Sequence, residues 1–345
     1  MPSAFLVRFR PTGPWRIGPD SGACDQAGRI YHSDVLFSAV SQAMGRLGLL
    51  EEWLEATAGN PQGPAARFSS CFPCLEDLLF VVPPRMLWPP AASLKVRWKG
   101  TRFVPLFLVA ALLAEEPLNE EQWRVDGPSQ CLLPHEARFQ SGPFRPALRS
   151  FAAVDRLSGT VQVHTKACLE FSPGAGWWAV VVFADEGAFE RWSDPIKSAL
   201  RLLADTGLGG ERSLGWGHSD SPEFTAPPEG LLPSGAGGYP LGGPATAESA
   251  SWLLSLFAPA PEEAIDWQRG AYSLVARGGR IESPARSGEP KRLLRMVEEG
   301  SVLISEGPLR GVASNVAPDG FPHPVFRAGY AVAVPIPLRA PEVRP

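Results

Sequence analysis

The chain has 345 residues, 44% of them hydrophobic and 20% charged, which is enough for two globular domains with their own cores. A net charge of −4 argues against a protein that coats nucleic acid indiscriminately, and no apolar run is long enough to span a membrane. The five cysteines, in a sequence that opens on a strand rather than a signal peptide, predict a reducing cytoplasm.

The first 225 residues predict one β-α-β-β-α-β unit with insertions. Apolar residues alternate in the predicted strands, which are 4–10, 67–72, 78–82, 160–171, 177–184 and 218–225. Helical spacing predicts a first helix from Ser33 to about Gly48, with 51–57 as a candidate extension, and the helices 103–114 and 187–204. Ser33 and Asp34 can cap the first helix, and residues 160–184 are typical of a hairpin, whereas residues 115–150 show no period.

The remainder predicts a second, more irregular domain. Residues 226–245 are rich in Pro, Gly and Ser and almost free of charge, which indicates a linker or a long connection. Beyond it, a short helix is predicted at 261–267, and the candidate strands are 251–257, 272–275, 293–297, 301–304 and 330–334. We therefore predict an α+β fold of two ferredoxin-like (RRM-like) domains, residues 1–225 and 226–345, the second smaller and degenerate.

Residues 207–217 (GLGGERSLGWG) hold five glycines in eleven positions. Glycine lets the backbone approach a partner closely, and Arg212 and Ser213 could hold a phosphate beside backbone N–H groups. A dinucleotide-binding loop or a P-loop follows a strand and opens a helix, but this loop joins a helix to a strand, and no Lys precedes Ser213. It fits the loop before the last strand of a ferredoxin-like domain; a plain surface loop is the alternative.

Charge is segregated along the chain. Residues 137–168 carry five basic residues against Asp155, and residues 277–295 carry six against two acidic ones. A one-sided nucleic-acid surface requires such segregation, although solvated loops give the same pattern. Phe139, Phe144 and Phe151 interleave with the arginines of the first segment, as in surfaces that bind single strands, or as in a buried hydrophobic hinge.

Four phrases together resemble one family. They are IYHSDVLFSA at 30–39, VDRLSGT at 154–160, the glycine loop, and GFPHPVFRAGY at 320–330. In this order and spacing they resemble the fourth subunit of the type III-A CRISPR Csm interference complex, within the RAMP superfamily. The resemblance covers nearly the whole chain. Glu211 departs from it, because the family often has a basic residue there.

The resemblance implies a non-catalytic subunit that binds the repeat-derived 5′ tag of the guide RNA (crRNA) and docks the large polymerase-like subunit. It also implies contact with the repeating backbone subunit, a thumb-like insertion at about 127–160, and no cofactor, metal, membrane or small-molecule substrate. The RNA-binding residues that we predict on this basis are Gly207, Gly209, Gly210, Arg212, Ser213, Gly215, Gly217, His32, Ser33, Arg138, Arg145, Arg149, Arg156, Lys166 and Arg327.

Two other functions stay open. His32 precedes a helix and is a candidate general base, so a metal-independent endoribonuclease of the same superfamily is the alternative enzyme. A protein-only adaptor that never contacts RNA is the third class. Cys71 and Cys74 have zinc-knuckle spacing but no second pair, which favours two small buried residues over a zinc site.

Overall fold

The computed structural model describes residues 4–19, 22–90, 98–136, 139–232, 249–283 and 285–338. Most of the predicted linker at 226–245, and Arg138, lie outside them. Within the described residues the α-helices are α1 (Ser33–Arg46), α2 (Leu50–Ala56), α3 (Leu106–Leu113) and α4 (Glu186–Thr206). None of these helices is both long and apolar enough to cross a membrane.

The strands of the first part follow the chain from the N-terminus to the glycine loop and beyond. They are β1 (Ala4–Phe9), β2 (Ala66–Phe68), β3 (Phe72–Leu75), β4 (Leu78–Val81), β5 (Val104–Pro105), β6 (Trp123–Asp126), β7 (Cys131–Pro134), β8 (Phe144–Val154), β9 (Val161–Phe171), β10 (Ala175–Phe183) and β11 (Glu223–Thr225). Those of the second part are β12 (Ser249–Leu253), β13 (Ile265–Ala271), β14 (Leu274–Arg277), β15 (Leu294–Val297), β16 (Val302–Ser305), β17 (Ala313–Asn315), β18 (Phe326–Ala328) and β19 (Ala333–Pro337).

The main sheet is antiparallel and has the order β11-β1-β10-β3-β4-β5, with β2 also paired to β10. Its central strands β1 and β10 pair from Ala4–Val182 to Phe9–Trp177. Helices α1 and α4 pack against each other beside this sheet. Each presents an apolar stripe to the core, and α4 places Trp192 5.3 Å from Trp53 of α2, ring centre to ring centre.

The second part adds a four-stranded sheet of order β13-β16-β12-β19. Its residues join the core of the first sheet: Trp252 is fully buried and donates its Nε1–H to the Val82 carbonyl at 3.1 Å. Tyr330 lies edge-on to Phe37 of α1 at 5.9 Å. The two predicted domains therefore share a continuous hydrophobic core.

Several sequence-based assignments need correction. Strand β9 pairs with β8 and not with β10, because β1 occupies one edge of β10 and β2 and β3 occupy the other. The predicted helix 261–267 is replaced by turn residues and strand β13. The segment 115–150 holds β6, β7 and the first half of β8.

The predicted cap of α1 also needs correction. The N-cap residue is His32, whose side chain makes no hydrogen bond to the helix, while Asp34 lies inside the first turn and accepts from the Val35 amide at 2.9 Å. Instead the Ser33 amide donates to the Ser70 hydroxyl at 2.8 Å, so a residue 37 positions away satisfies one of the free amides at the helix start. Ser33 and Asp34 are left available for contacts with the second part of the chain.

Candidate nucleic-acid interface

The glycine loop is folded tightly on itself and on the segment that follows β1. Gly207, Gly209 and Gly217 all have positive φ angles, between 83° and 88°. A Cβ atom at Gly209 would lie 2.4 Å from the Arg16 carbonyl oxygen, and one at Gly217 would lie 2.0 Å from that of Leu208. Close backbone packing inside the protein thus accounts for these glycines.

The part of the loop that reaches solvent is the short 3₁₀ turn Arg212–Leu214 and the residue after it. Ser213 and Gly215 are exposed, and nothing lies near the position of a Cβ atom at Gly215. Arg212 extends one guanidinium nitrogen to 3.3 Å from Glu282, and Gly210 contacts the aliphatic stem of Arg16. Arg212, Ser213 and Gly215 are therefore the loop residues that a ligand can approach.

Arg16 fastens this loop to its surroundings, a role that the sequence analysis did not identify. Its backbone carbonyl accepts from the Gly210 amide at 2.9 Å. Its largely buried guanidinium donates to the carbonyls of Ala167 at 2.7 Å and Cys24 at 3.0 Å. A charged residue within the otherwise apolar run PWRI is the one local signal that could have marked it.

Strands β8 and β9 form a long hairpin with eleven residue pairs, from Phe144–Phe171 to Val154–Val161. The predicted thumb at about 127–160 covers its first strand and its turn. Strand alternation places Arg149, Phe151 and Lys166 on one face of the hairpin. The opposite face is apolar and largely exposed along Leu148, Ala152, Val154, Val161 and Val163.

The polar face of the hairpin meets the glycine loop. The Phe151 ring lies 5.7 Å from the ring of Trp216, and Lys166 Nζ lies 5.8 Å from the Phe151 ring centre. Lys166 also forms a 2.6 Å ion pair with Glu211, the residue at which the family often has a positive charge. The structure thus brings together the two regions that the sequence predicted separately.

The remaining basic residues of the hairpin are exposed. Arg145 and Arg149 both pair with Glu170, at 3.0 and 2.7 Å, and Arg156 lies in the solvent-exposed turn between the strands. In that turn Asp155 accepts from the Leu157 amide at 2.8 Å, a bond that lowers the pKa of the carboxyl. Arg145 and Arg149 are therefore exposed cations that share one carboxylate.

His32 is paired with a buried carboxylate of the second part of the chain. Its Nδ1 lies 2.7 Å from Glu299 Oε1, and the Ser70 hydroxyl donates to the same oxygen. Burial raises the pKa of Glu299, but the imidazole and these hydrogen bonds outweigh it, so that the pKa lies below its usual value. His32 itself is only 13% exposed, at the edge of a cleft.

Asp34 is the centre of a buried ion triad. It bonds to Arg277 at 3.1 Å and to Arg327, and its side chain is fully buried. Burial raises the pKa of Asp34, but the two guanidinium groups prevail and lower it. The predictions for Arg327 and Ser33 need correction, because Arg327 is committed to Asp34 and Ser33 is buried and accepts from the Leu256 amide at 3.0 Å.

Beside His32 lies a cleft of about 270 Å³ between the two parts of the chain. Arg29, Arg102, Arg277 and Glu298 line it together with the backbone of 17–19 and 28. No cluster of three residues able to hold a metal ion occurs in the described part of the chain, and Cys71 and Cys74 are buried thiols. Burial raises the pKa of Cys74 to about 12.

Comparison with known proteins gives a consistent result. Residues 246–336 match the family model of the CRISPR Csm4 C-terminal domain. A chain of the crystal structure of the Csm3–Csm4 subcomplex in the type III-A CRISPR-Cas interference complex matches with a TM-score of 0.64 and 16% identity, over 97% of this chain and 100% of that one. No curated protein sequence matches.

Structures of a Csm1–Csm4 cassette are also similar. A chain of the complex with cA4 has a TM-score of 0.57 and 16% identity, over 98% of this chain and 99% of that one. A chain of the complex with pppApA has a TM-score of 0.55 and 17% identity, over 97% and 98%. Residues 246–336 therefore match the Csm4 C-terminal domain, and the chain as a whole shares the α+β fold of the chains in these structures.

Proposed function

We propose that this chain is the non-catalytic subunit of a type III-A CRISPR effector complex that binds the 5′ tag of the guide RNA and docks the large subunit at the foot of the complex. The observation that carries the proposal is the contact between the basic face of the β8–β9 hairpin and the glycine loop. It joins exposed cations, aromatic rings and a loop with accessible backbone into one surface, the combination that single-stranded RNA requires.

The partners follow from the similar structures, which contain Csm3 and Csm1 beside Csm4. We propose that this chain contacts its own backbone subunit of the Csm3 type and its own large subunit of the Csm1 type. The exposed apolar face of the hairpin supports a protein neighbour on the side away from the glycine loop, because apolar patches of this kind mark contact sites. Five free cysteines fit a cytoplasmic location.

A ferredoxin-like arrangement of residues 1–225 is part of the proposal. Strands β1 and β10 lie at the centre of the sheet, β11 and β3 flank them, and α1 and α4 connect strands of this set. That connectivity supports one β-α-β-β-α-β unit into which β4–β9 are inserted. Residues 226–345 are proposed as the degenerate second copy.

The test is binding of a fluorescent single-stranded RNA with the repeat tag at its 5′ end, measured by anisotropy over a series of salt concentrations. Arg149→Ala removes one exposed cation of the hairpin and should lower the slope of log K against log[salt] by about 0.7. The matched control is Arg10→Ala, because Arg10 is also an exposed arginine paired with a glutamate, Glu223 at 2.8 Å, but follows β1 and is not part of the hairpin.

The expected result is weaker, less salt-dependent binding for Arg149→Ala and unchanged binding for Arg10→Ala. Equal effects of the two variants would contradict the proposed surface. Failure of the wild-type chain to bind the RNA at low salt, alone and with its Csm3-type neighbour, would favour the protein-only adaptor.

The pair of His32 and Glu299 beside a cleft with three arginines favours one second candidate, a metal-independent endoribonuclease. A carboxylate that orients an imidazole is a common arrangement for a general base. Repeat RNA incubated with the protein in EDTA decides between the two. Cleavage that His32→Ala abolishes would establish the nuclease, whereas intact RNA under conditions where the protein binds it would support the non-catalytic subunit.

A further inference from the structure

The cleft beside His32 is lined by no residue of the β8–β9 hairpin or of the glycine loop. Its walls come from the segment between β1 and α1, from Arg102 before β5, and from β14 and Glu298 of the second part of the chain. Three arginine side chains and one glutamate line it. A concave site shared by two parts of a chain is the usual setting of a ligand pocket.

The positive charges of the cleft are incompletely compensated. Arg277 is already paired with the buried Asp34, and Glu298 is shared, because it lies 3.1 Å from Arg85 outside the cleft and 3.4 Å from Arg102 inside it. Arg29 donates to a neutral group, the Pro128 carbonyl, at 3.3 Å. With Arg277 compensated by Asp34, the cleft keeps two further guanidinium groups and one shared carboxylate, so that its charge is positive.

Arg29 and Arg102 also repel each other. Burial, and then the charge of Arg102, lower the pKa of Arg29. An anion bound between the guanidinium groups of Arg29 and Arg102 would offset their repulsion. It would also replace the water that Arg29 loses on burial. Arginine is the side chain best suited to hold phosphate, since its planar N–H groups match two phosphate oxygens at once.

We propose that this cleft binds a phosphate group through Arg29 and Arg102. The inference rests on the proposed function only for the source of the phosphate, which is either a phosphate of the bound RNA or a free mononucleotide. The cleft volume of about 270 Å³ admits a phosphate with part of a nucleoside. Glu298 limits the site to anions that bring enough acceptor oxygens to engage both arginines.

The experiment measures the affinity of the full-length protein for inorganic phosphate, for AMP and for the tag RNA with a 5′-phosphate or a 5′-hydroxyl. The variants are Arg29→Ala, Arg102→Ala and the conservative Arg29→Lys. Arg85→Ala is the matched control, because Arg85 bonds to the same Glu298 carboxylate but does not line the cleft. Circular dichroism shows that each variant is folded.

Loss of one charge-assisted hydrogen bond should weaken AMP binding at least about tenfold in Arg29→Ala and Arg102→Ala. Arg29→Lys should recover part of it, and Arg85→Ala, which removes no group that lines the cleft, should weaken binding less than Arg102→Ala does. Equal weakening by Arg85→Ala and Arg102→Ala would overturn the proposal, as would failure of the wild type to bind phosphate in any of the four forms.

The arms also separate this proposal from the proposed function. If the RNA binds and Arg29→Ala leaves the affinities for both the RNA and AMP unchanged, the cleft is not a phosphate site, whereas RNA binding by the protein is still supported. If AMP binds in an Arg29-dependent manner and the RNA does not bind, the cleft is a phosphate site for a free nucleotide. That result would refute the proposed RNA-binding function. A tighter complex with the 5′-phosphate than with the 5′-hydroxyl RNA would identify the terminal phosphate as the ligand.

Discussion

Replacement of Asp34 by Asn should destabilise the protein more than any change to an exposed ion pair. Asp34 is fully buried and Arg277 and Arg327 are 7% exposed, so the change would leave two buried guanidinium groups without a counter-charge. Breaking a buried pair in this way costs about 3–5 kcal/mol. Because Asn keeps one acceptor oxygen, we expect about 3 kcal/mol, a large part of a total stability of about 5–15 kcal/mol.

The assay is urea unfolding followed by tryptophan fluorescence, with Glu223→Gln as the control. Glu223 and its partner Arg10 are both about half exposed, so that this change should cost less than about 1 kcal/mol. Since Arg277 and Arg327 belong to the second part of the chain, Asp34→Asn should also speed hydrogen exchange in β14 and β18. A loss below about 1 kcal/mol, or equal losses in both variants, would refute the reasoning.

Three further predictions concern the loop, acidity and the thiols. In urea unfolding, Gly217→Ala should destabilise the protein clearly more than Gly215→Ala. Both glycines have positive φ, which should cost about 1–2 kcal/mol in Gly215→Ala, but only a Cβ atom at position 217 would also lie against backbone atoms. Equal losses of stability in the two variants would contradict this packing. Folding lowers the pKa values of Asp34 and Glu299, so these two carboxylates stabilise the folded state fully above their unfolded pKa near 4. That contribution is lost as the pH falls through the lower folded values. The urea midpoint of unfolding should therefore decrease below about pH 4, and it should decrease less steeply in Asp34→Asn. In native protein a thiol reagent should modify Cys24 quickly and the other four cysteines, which are buried, only after unfolding; rapid reaction of two or more thiols would refute this burial pattern.

Much of the fold could be predicted from local patterns. Strand β1, helices α1 and α4 and the loop after α4 were predicted close to their observed bounds, because each has a period or a glycine cluster within a short window. The partner of β9 was predicted wrongly, since a short Pro/Gly turn looks like a hairpin whether or not the strands it joins pair with each other. Which strands pair is decided only in the assembled sheet, where β10 is buried between other strands.

The sequence by itself determined the α+β class, the positions of the main elements and the residues from which a basic surface can be made. Only the tertiary structure decided which of these residues share a site. Asp34 binds Arg277, which is 243 residues away in the sequence, and His32 binds Glu299, which is 267 residues away. The sequence around these four residues gives no indication of which residues pair. Such pairs form because a buried charge is stable only beside its counter-charge, and the folded core alone determines which charges are buried.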